Sequence, residues 1–278
     1  MRTERLKDFL AQLPVGFPVR GGSNGETKIL REFDLGPVTG RVRLAAGRPD
    51  VRDNPGQQST EMLTLTLRRL GNISPVPKDM VRALSFQDRE FLHWIHIVRR
   101  LMNNPEAKEL DIVCGSCEAK LSAPITADIF LVNVLEDADA QIEEITIGDR
   151  KLLIQTFRFE HVTYGALRVR LLTGEDEERF AVLQRTKPEE GTLRSTHAAI
   201  VDLDGKAPTF DQYLDLDEDV LAWIQACMGS MDIGASQRLT VSCDGCGGET
   251  VAEVSPFEYL GAFGPPKVSP PYATNSSS

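Results

Sequence analysis

The chain has 278 residues, of which 41% are hydrophobic and 26% charged, with a formal net charge of −10. Those proportions suit a soluble globular protein with room for one large core or two small ones, and no apolar run approaches the ~20 residues of a bilayer span. The acidic balance counts against nucleic-acid binding, which needs a basic face to neutralise phosphate; the opening residues hold no long hydrophobic region, so no secretory signal is expected, and five cysteines then suit a reducing compartment.

In chain order, Met1–Leu10 reads as a short amphipathic helix. Arg41–Gly47 reads as a strand ending at a glycine, followed by a loop to Gly56 and a helical stretch from Thr60 to Leu70. From Leu84 to Met102 the apolar residues Phe91, Leu92, Ile95, Val98, Leu101 and Met102 recur on one helical face. Ser85 stands at the N-cap with Asp88 three positions on, and Asn103-Asn104-Pro105 stops the helix. Strands at Leu110–Val113 and Glu118–Pro124 flank Cys114-Gly115-Ser116-Cys117. Glu143–Phe157 reads as a hairpin turning at Gly148-Asp149. Arg168–Leu172 is a strand, and Thr173 with Asp176 has capping-box spacing for a helix over Glu175–Leu183. Asp215–Met231 is helical, with Cys227 as a core residue. Strands at Leu239–Ser242 and Thr250–Val254 flank Cys243-Asp244-Gly245-Cys246. The segment Gly264–Ser278, rich in proline and serine, is expected to be extended or disordered.

The two C-x-x-C pairs are related by one offset of 129 positions, which carries 114 to 243 and 117 to 246. The same offset carries Asp88 onto Asp217, Leu92 onto Leu221, Trp94 onto Trp223, Ile95 onto Ile224, Met102 onto Met231 and Leu110 onto Leu239. Those are the only two tryptophans in the chain. Arg41–Gly47 echoes Arg168–Gly174 at an offset of 127. The expectation is an internally duplicated α+β chain: an N-terminal segment 1–26, a first lobe 27–135, a second lobe 143–262 and a tail 263–278. Each lobe runs helix, strand, C-x-x-C knuckle, strand.

A C-x-x-C on a tight turn between strands points both sulfurs toward one cation, and two such knuckles supply the complement of a closed tetrahedral zinc site. The usual spacing between pairs is ~15–20 residues, whereas here the pairs are separated by a whole repeat. Cys114, Cys117, Cys243 and Cys246 are therefore expected to bind one structural zinc joining the lobes, leaving no coordination position for substrate. A redox dithiol, two disulfides and iron–sulfur ligation remain as alternatives. His93 and His96 have ligand-compatible spacing, but their counterparts at the offset are Ala222 and Gln225, so they read as surface or partly buried residues. His161 and His197 have no neighbouring partner in sequence. The acidic runs Leu135–Asp139 and Leu214–Asp219 could suggest a cation, although the second suits a helix N-terminus. No phosphate-binding glycine loop, nucleophile elbow or Ser/His/Asp arrangement is present, and no catalytic or cofactor-binding residue is assigned.

Several stretches resemble the T4-type phage baseplate hub and hub-assembly family of contractile tails. They are Leu13-Pro14-Val15-Gly16-Phe17, Phe33–Gly40, the helix running into Cys114 and Cys117, Leu171–Glu178, and Leu239–Gly247 followed by Ser255–Leu260. Family knuckles commonly read C-P-x-C-G; the first knuckle here lacks both the proline and the final glycine, and the second keeps Gly247. The resemblance implies a non-enzymatic structural or assembly component of a baseplate, stabilised by zinc. It would contact other tail proteins, in the virion tail or in the host cytoplasm during assembly. A zinc-ribbon regulator associated with nucleic acid, or a dithiol redox protein, is the alternative class.

Overall fold

A computed structural model of the chain describes residues 1–21, 25–103, 108–125, 127, 130–235 and 238–253. The tail 263–278 lies outside them. Strand β1 (Arg2–Arg5) leads through a 3₁₀ turn at Leu6–Asp8 into β2 (Gln12–Arg20) and β3 (Thr27–Leu35). Helices α1 (Gly40–Ala46) and α2 (Pro55–Thr66) follow, then β4 (Leu67–Leu70), α3 (Lys78–Ala83) and the long α4 (Phe86–Asn103). Next come β5 (Lys108–Val113), β6 (Lys120–Ile125) and β7 (Leu131–Val134). The second half opens with β8 (Gln141–Ile147), β9 (Arg150–His161) and β10 (Gly165–Arg170), then α5 (Gly174–Thr186), α6 (Pro188–Ala199) and β11 (Ile200–Leu203). It closes with α7 (Phe210–Leu214), α8 (Glu218–Ser230), β12 (Gly234–Ala235), β13 (Arg238–Ser242) and β14 (Glu249–Glu253).

Both halves run hairpin, two helices, strand, short helix, long helix, cysteine hairpin. In the first, β3 pairs with β2 on one side and β4 on the other; in the second, β10 lies between β9 and β11. Helix α2 passes without a break into β4, as α6 passes into β11, and each of these strands ends in a tight turn, bridged Leu70 to Ile73 and Leu203 to Lys206. The halves differ in their edges. Strand β8 extends the second sheet, whereas β1, β7 and β12 form a small sheet of their own that draws on both halves.

Local chemistry accounts for many of the boundaries. Asn54 accepts from the Gln57 N–H at 3.1 Å and Pro55 occupies the first turn of α2, the N-terminal pattern of a helix. Ser85 Oγ accepts from the Asp88 N–H at 3.1 Å, so it caps α4 as its position predicts. Asp176 Oδ2 accepts from the Thr173 N–H at 2.9 Å at the start of α5. The β8–β9 hairpin pairs Ile147 with Arg150 around Gly148, whose φ of 62° suits the glycine there.

Three expectations need correction. Met1–Leu10 is not a helix: β1 pairs with β7, and Leu6, Phe9 and Leu13 point into the core. Arg41–Gly47 is helical, because Thr39 caps the segment and Val42 and Ala46, four apart, are its buried residues. The offset of 127 thus aligns a helix with a strand. The helix expected over Thr60–Leu70 begins earlier and gives way to β4 at Leu67.

The largest core surrounds α4. Phe91 meets Phe9 and Phe33 edge to face, and Trp94 lies 4.7 Å from Phe130 between ring centroids. Trp94 is fully buried, whereas Trp223, its counterpart on α8, is half-buried beside His161 and Tyr164. The physical difference is the cover: Leu6, Phe9 and Phe130 belong to the cluster around α4, and the cluster around α8 contains none of them.

The halves meet along a polar seam and a small apolar cluster. Arg89 of α4 is buried and donates to Glu177 Oε2 of α5 at 2.8 Å, to the Val81 and Gly56 carbonyls, and to Ser59 and Thr60. Arg82 reaches Glu178 at 3.1 Å, and Asn54 Nδ2 donates to the Glu178 carbonyl at 2.7 Å. Gly56 allows this approach, since a Cβ there would stand 2.5 Å from the Glu178 nitrogen. Val15, Leu135, Leu171 and Ile233 close the seam from the apolar side.

Candidate metal centre

Each cysteine pair sits at the tip of a two-stranded hairpin. In the first, β5 and β6 pair from Lys108 with Ile125 to Val113 with Lys120; in the second, β13 and β14 pair from Arg238 with Glu253 to Ser242 with Glu249. The turns are closed alike. The Cys114 N–H donates to the Ala119 carbonyl at 2.9 Å and the Glu118 N–H to the Cys114 carbonyl at 2.9 Å. At the offset of 129, the Cys243 N–H donates to the Gly248 carbonyl at 2.8 Å and the Gly247 N–H to the Cys243 carbonyl at 2.8 Å. Both turns place the residue after the second cysteine in the left-handed region: φ is 59° at Glu118 and 71° at Gly247. Glycine adopts that conformation freely, and glutamate does so under strain.

The tips converge. Cys114 Sγ lies 3.6 Å from Cys246 Sγ, Cys117 Sγ lies 3.7 Å from Cys243 Sγ, and all four sulfurs fall within 4.8 Å of one another. A tetrahedral ion with metal–sulfur bonds of about 2.3 Å sets its ligands about 3.8 Å apart, so the sulfurs fit around one ion. The Gly115 N–H donates to Thr250 Oγ1 across the junction at 3.1 Å. Gly248 permits the close fit, because a Cβ there would approach Ser116 Oγ to 2.8 Å. Cys114 and Cys243 are buried and Cys117 and Cys246 exposed, so each knuckle contributes one inner and one outer sulfur.

The backbone is already arranged for thiolate. N–H groups of Ser116 and Cys117 draw the Cys114 thiol down to about 6. Cys117 is pushed up to about 12: the Ala119 N–H pulls it down, and hydrogen bonding with Cys246, Cys114 and Cys243 overcomes that pull. Four crowded thiols cannot all ionise on their own, and a divalent cation supplies the charge that releases the remaining protons. The Gly248 N–H points at Cys246 Sγ at 3.4 Å, a further donor to a bound thiolate.

The hairpins pair internally and meet each other at their tips, and among the described residues neither packs extensively on the helices and sheets of the body. Val113 and Val251 are accordingly exposed. The centre therefore joins two hairpins, while the body halves are held by the Arg89 seam.

Among the described residues these four cysteines are the one group of His, Cys, Asp and Glu set closely enough to hold an ion. The other sequence candidates fall elsewhere. His93 and His96 are buried on α4, not at the surface, and His93 Nε2 lies 2.8 Å from Ser59 Oγ. Burial and the Arg89 charge hold His93 well below its ordinary range. His161 stacks on Tyr164, and His197 Nε2 lies 2.9 Å from the Pro208 carbonyl. Asp137 pairs with Arg31 and Asp139 with the Met1 amino group; Glu218 and Asp219 occupy the first turn of α8. Cys227 is buried, as its apolar neighbours predict. Sequence reasoning missed Thr250 and the strained Glu118, although the missing final glycine of the first knuckle was a signal for the latter. Comparison of the chain with protein-family models, with curated proteins and with solved structures finds no match. What the fold and site define is a mixed helix-and-sheet protein with a four-cysteine group able to hold a metal ion.

Proposed function

We propose that the chain is a non-enzymatic structural or assembly component of a contractile-tail baseplate, and that its four cysteines hold one structural zinc. The observation that carries this reading is the convergence of Cys114, Cys117, Cys243 and Cys246 within 4.8 Å from hairpins on opposite halves of the chain. Four protein sulfurs close a tetrahedral site, so the ion builds structure and takes no substrate. Thiolate ligands at these distances suit zinc among the common divalent ions. The shared order of elements, the matching turn hydrogen bonds and the common offset of 129 support an internal duplication in which each copy supplies half the centre. The baseplate assignment rests on the sequence resemblance through Leu13–Phe17, Leu171–Glu178 and Leu239–Gly247.

Two measurements test the proposal. Elemental analysis of protein purified under reducing conditions should give about one zinc per chain; iron removes the zinc reading in favour of iron–sulfur ligation, and no metal with reactive thiols removes it in favour of a dithiol protein. Mass spectrometry of contractile tails and their assembly intermediates, from a host that encodes the chain, should recover it in one or the other. Its absence from both would remove the baseplate reading and leave the metal centre standing.

A further inference from the structure

A second group of cationic side chains lies at the C-terminal end of α4, away from the cysteines. Arg99 and Arg100 leave that helix, Arg43 comes from α1, and the loop from Leu35 to Val38 forms the facing wall of a cavity of about 410 Å³. The Arg99 guanidinium is fixed by donation to the Leu35 carbonyl at 2.6 Å. Arg68 folds over the same loop, where Gly36 leaves room for it: a Cβ at Gly36 would stand 2.6 Å from Arg68 Nε. His96, one turn before Arg100, is buried and lines the cavity, and its Nε2 has no hydrogen-bond partner. Burial, with the Arg99 charge, lowers His96 to about 4, so at neutral pH it is an uncharged hydrogen-bonding group.

The charge balance of the cavity is one-sided. With a net charge of −10, acids are plentiful, and Arg31, Arg82, Arg89 and Arg170 each have a carboxylate partner. Arg43, Arg99 and Arg100 have none among the described residues, and no carboxylate among those residues lines the cavity. Three guanidiniums held together without a counter-charge repel one another, and an entering anion relieves that cost.

We propose that this cavity is a binding site for a small phosphate monoester, with the phosphate on Arg43, Arg99 and Arg100 and the organic group against Val38. A single carboxylate is satisfied by one guanidinium fork and carries one charge; a phosphate dianion offers three free oxygens to three forks. His96 supplies a neutral donor to the ester side of the group. The size of the cavity and the net negative charge of the chain suit one small ligand and not the extended track of a nucleic-acid backbone.

Calorimetric titration of the full, metal-loaded chain at neutral pH and low salt tests the site, with phenyl phosphate, inorganic phosphate and benzoate as probes. Phenyl phosphate should bind at one site, inorganic phosphate more weakly, and benzoate at least about tenfold more weakly than phenyl phosphate. Arg43→Gln and Arg100→Gln, both at exposed positions, should each weaken phenyl phosphate about tenfold or more while leaving the melting temperature unchanged. Absence of phenyl phosphate binding, binding indifferent to both substitutions, or benzoate binding as tightly as phenyl phosphate would each overturn the assignment.

Discussion

The two knuckles are matched at the backbone but not in the residue that the backbone requires, and that mismatch gives a quantitative prediction. Glu118 and Gly247 occupy the same place in their turns, with φ of 59° and 71°. A residue bearing a Cβ costs roughly 1–2 kcal/mol in that region, while glycine costs roughly 0.4–1 kcal/mol through the greater freedom of its unfolded chain. Glu118→Gly should therefore gain about 0.5–1 kcal/mol. Gly247→Ala should lose a similar amount, and purely through conformation, because nothing lies within 4 Å of the added Cβ. Ordering of the hairpins is coupled to ligation, so the change appears in metal affinity. Competition against a chelator of known affinity should show zinc dissociation constants about two- to fivefold lower for Glu118→Gly and about two- to fivefold higher for Gly247→Ala. The double variant should return close to wild type. Equal effects of the same sign, or none, would show that turn strain does not limit the site and would refute the reasoning.

The other expectations concern the body and its titrating groups. Cys243→Ser should abolish tight metal binding and expose the amides of both hairpins to hydrogen exchange, yet leave the main melting transition nearly in place, since the seam around Arg89 holds the halves independently. Arg89→Ala should do the reverse: it strands Glu177 beside an emptied site and should cost about 3–5 kcal/mol by denaturant unfolding, with the metal still bound. Burial raises Asp88 from 3.8 to about 7, against the opposing N–H bonds of Val15 and Gly16 and the Arg31 charge. The folded state then holds a proton that the unfolded chain releases, so this group's contribution is lost as pH rises from about 4 to about 7. Comparing wild type with Asp88→Asn cancels the opposite contribution of His93 and His96, and the stability advantage of wild type should shrink across that window. An advantage that grew with pH would mean that Asp88 is held as a carboxylate.

Features set by neighbours in sequence were legible in advance. Ser85 and Thr173 start their helices, Gly148 turns its hairpin, and each C-x-x-C sits between two strands, because a cap or a tight turn is chosen within three or four residues. The offset of 129 relates the four cysteines as one set in the sequence alone. Short segments were less legible. Arg41-Val42-Arg43-Leu44 alternates like a strand and also places Val42 and Ala46 one helical turn apart; Thr39 as the cap and burial against the first core select the helix. Met1–Leu10 has helical periodicity on paper, but pairing with β7 wins.

Only the tertiary structure decided what the paired helices bury and what the cysteines join. Trp94 and Trp223 occupy equivalent places in sequence, yet the strand and turn before Leu13 cover only α4, so one ring is core and the other partly exposed. His93, His96 and Asp88 are buried by other distant segments, α2 at Ser59, the loop Leu35–Val38 and β2 at Val15–Gly16, and desolvation of that kind leaves no periodic trace. The sequence alone determined that two matched knuckles exist and that their sulfurs could complete one tetrahedron. Their convergence at the tips of two hairpins, with a separate polar seam holding the body, depends on contacts between residues more than eighty positions apart, as with Arg89 and Glu177. Local propensity does not encode such contacts; the packing of the two halves does.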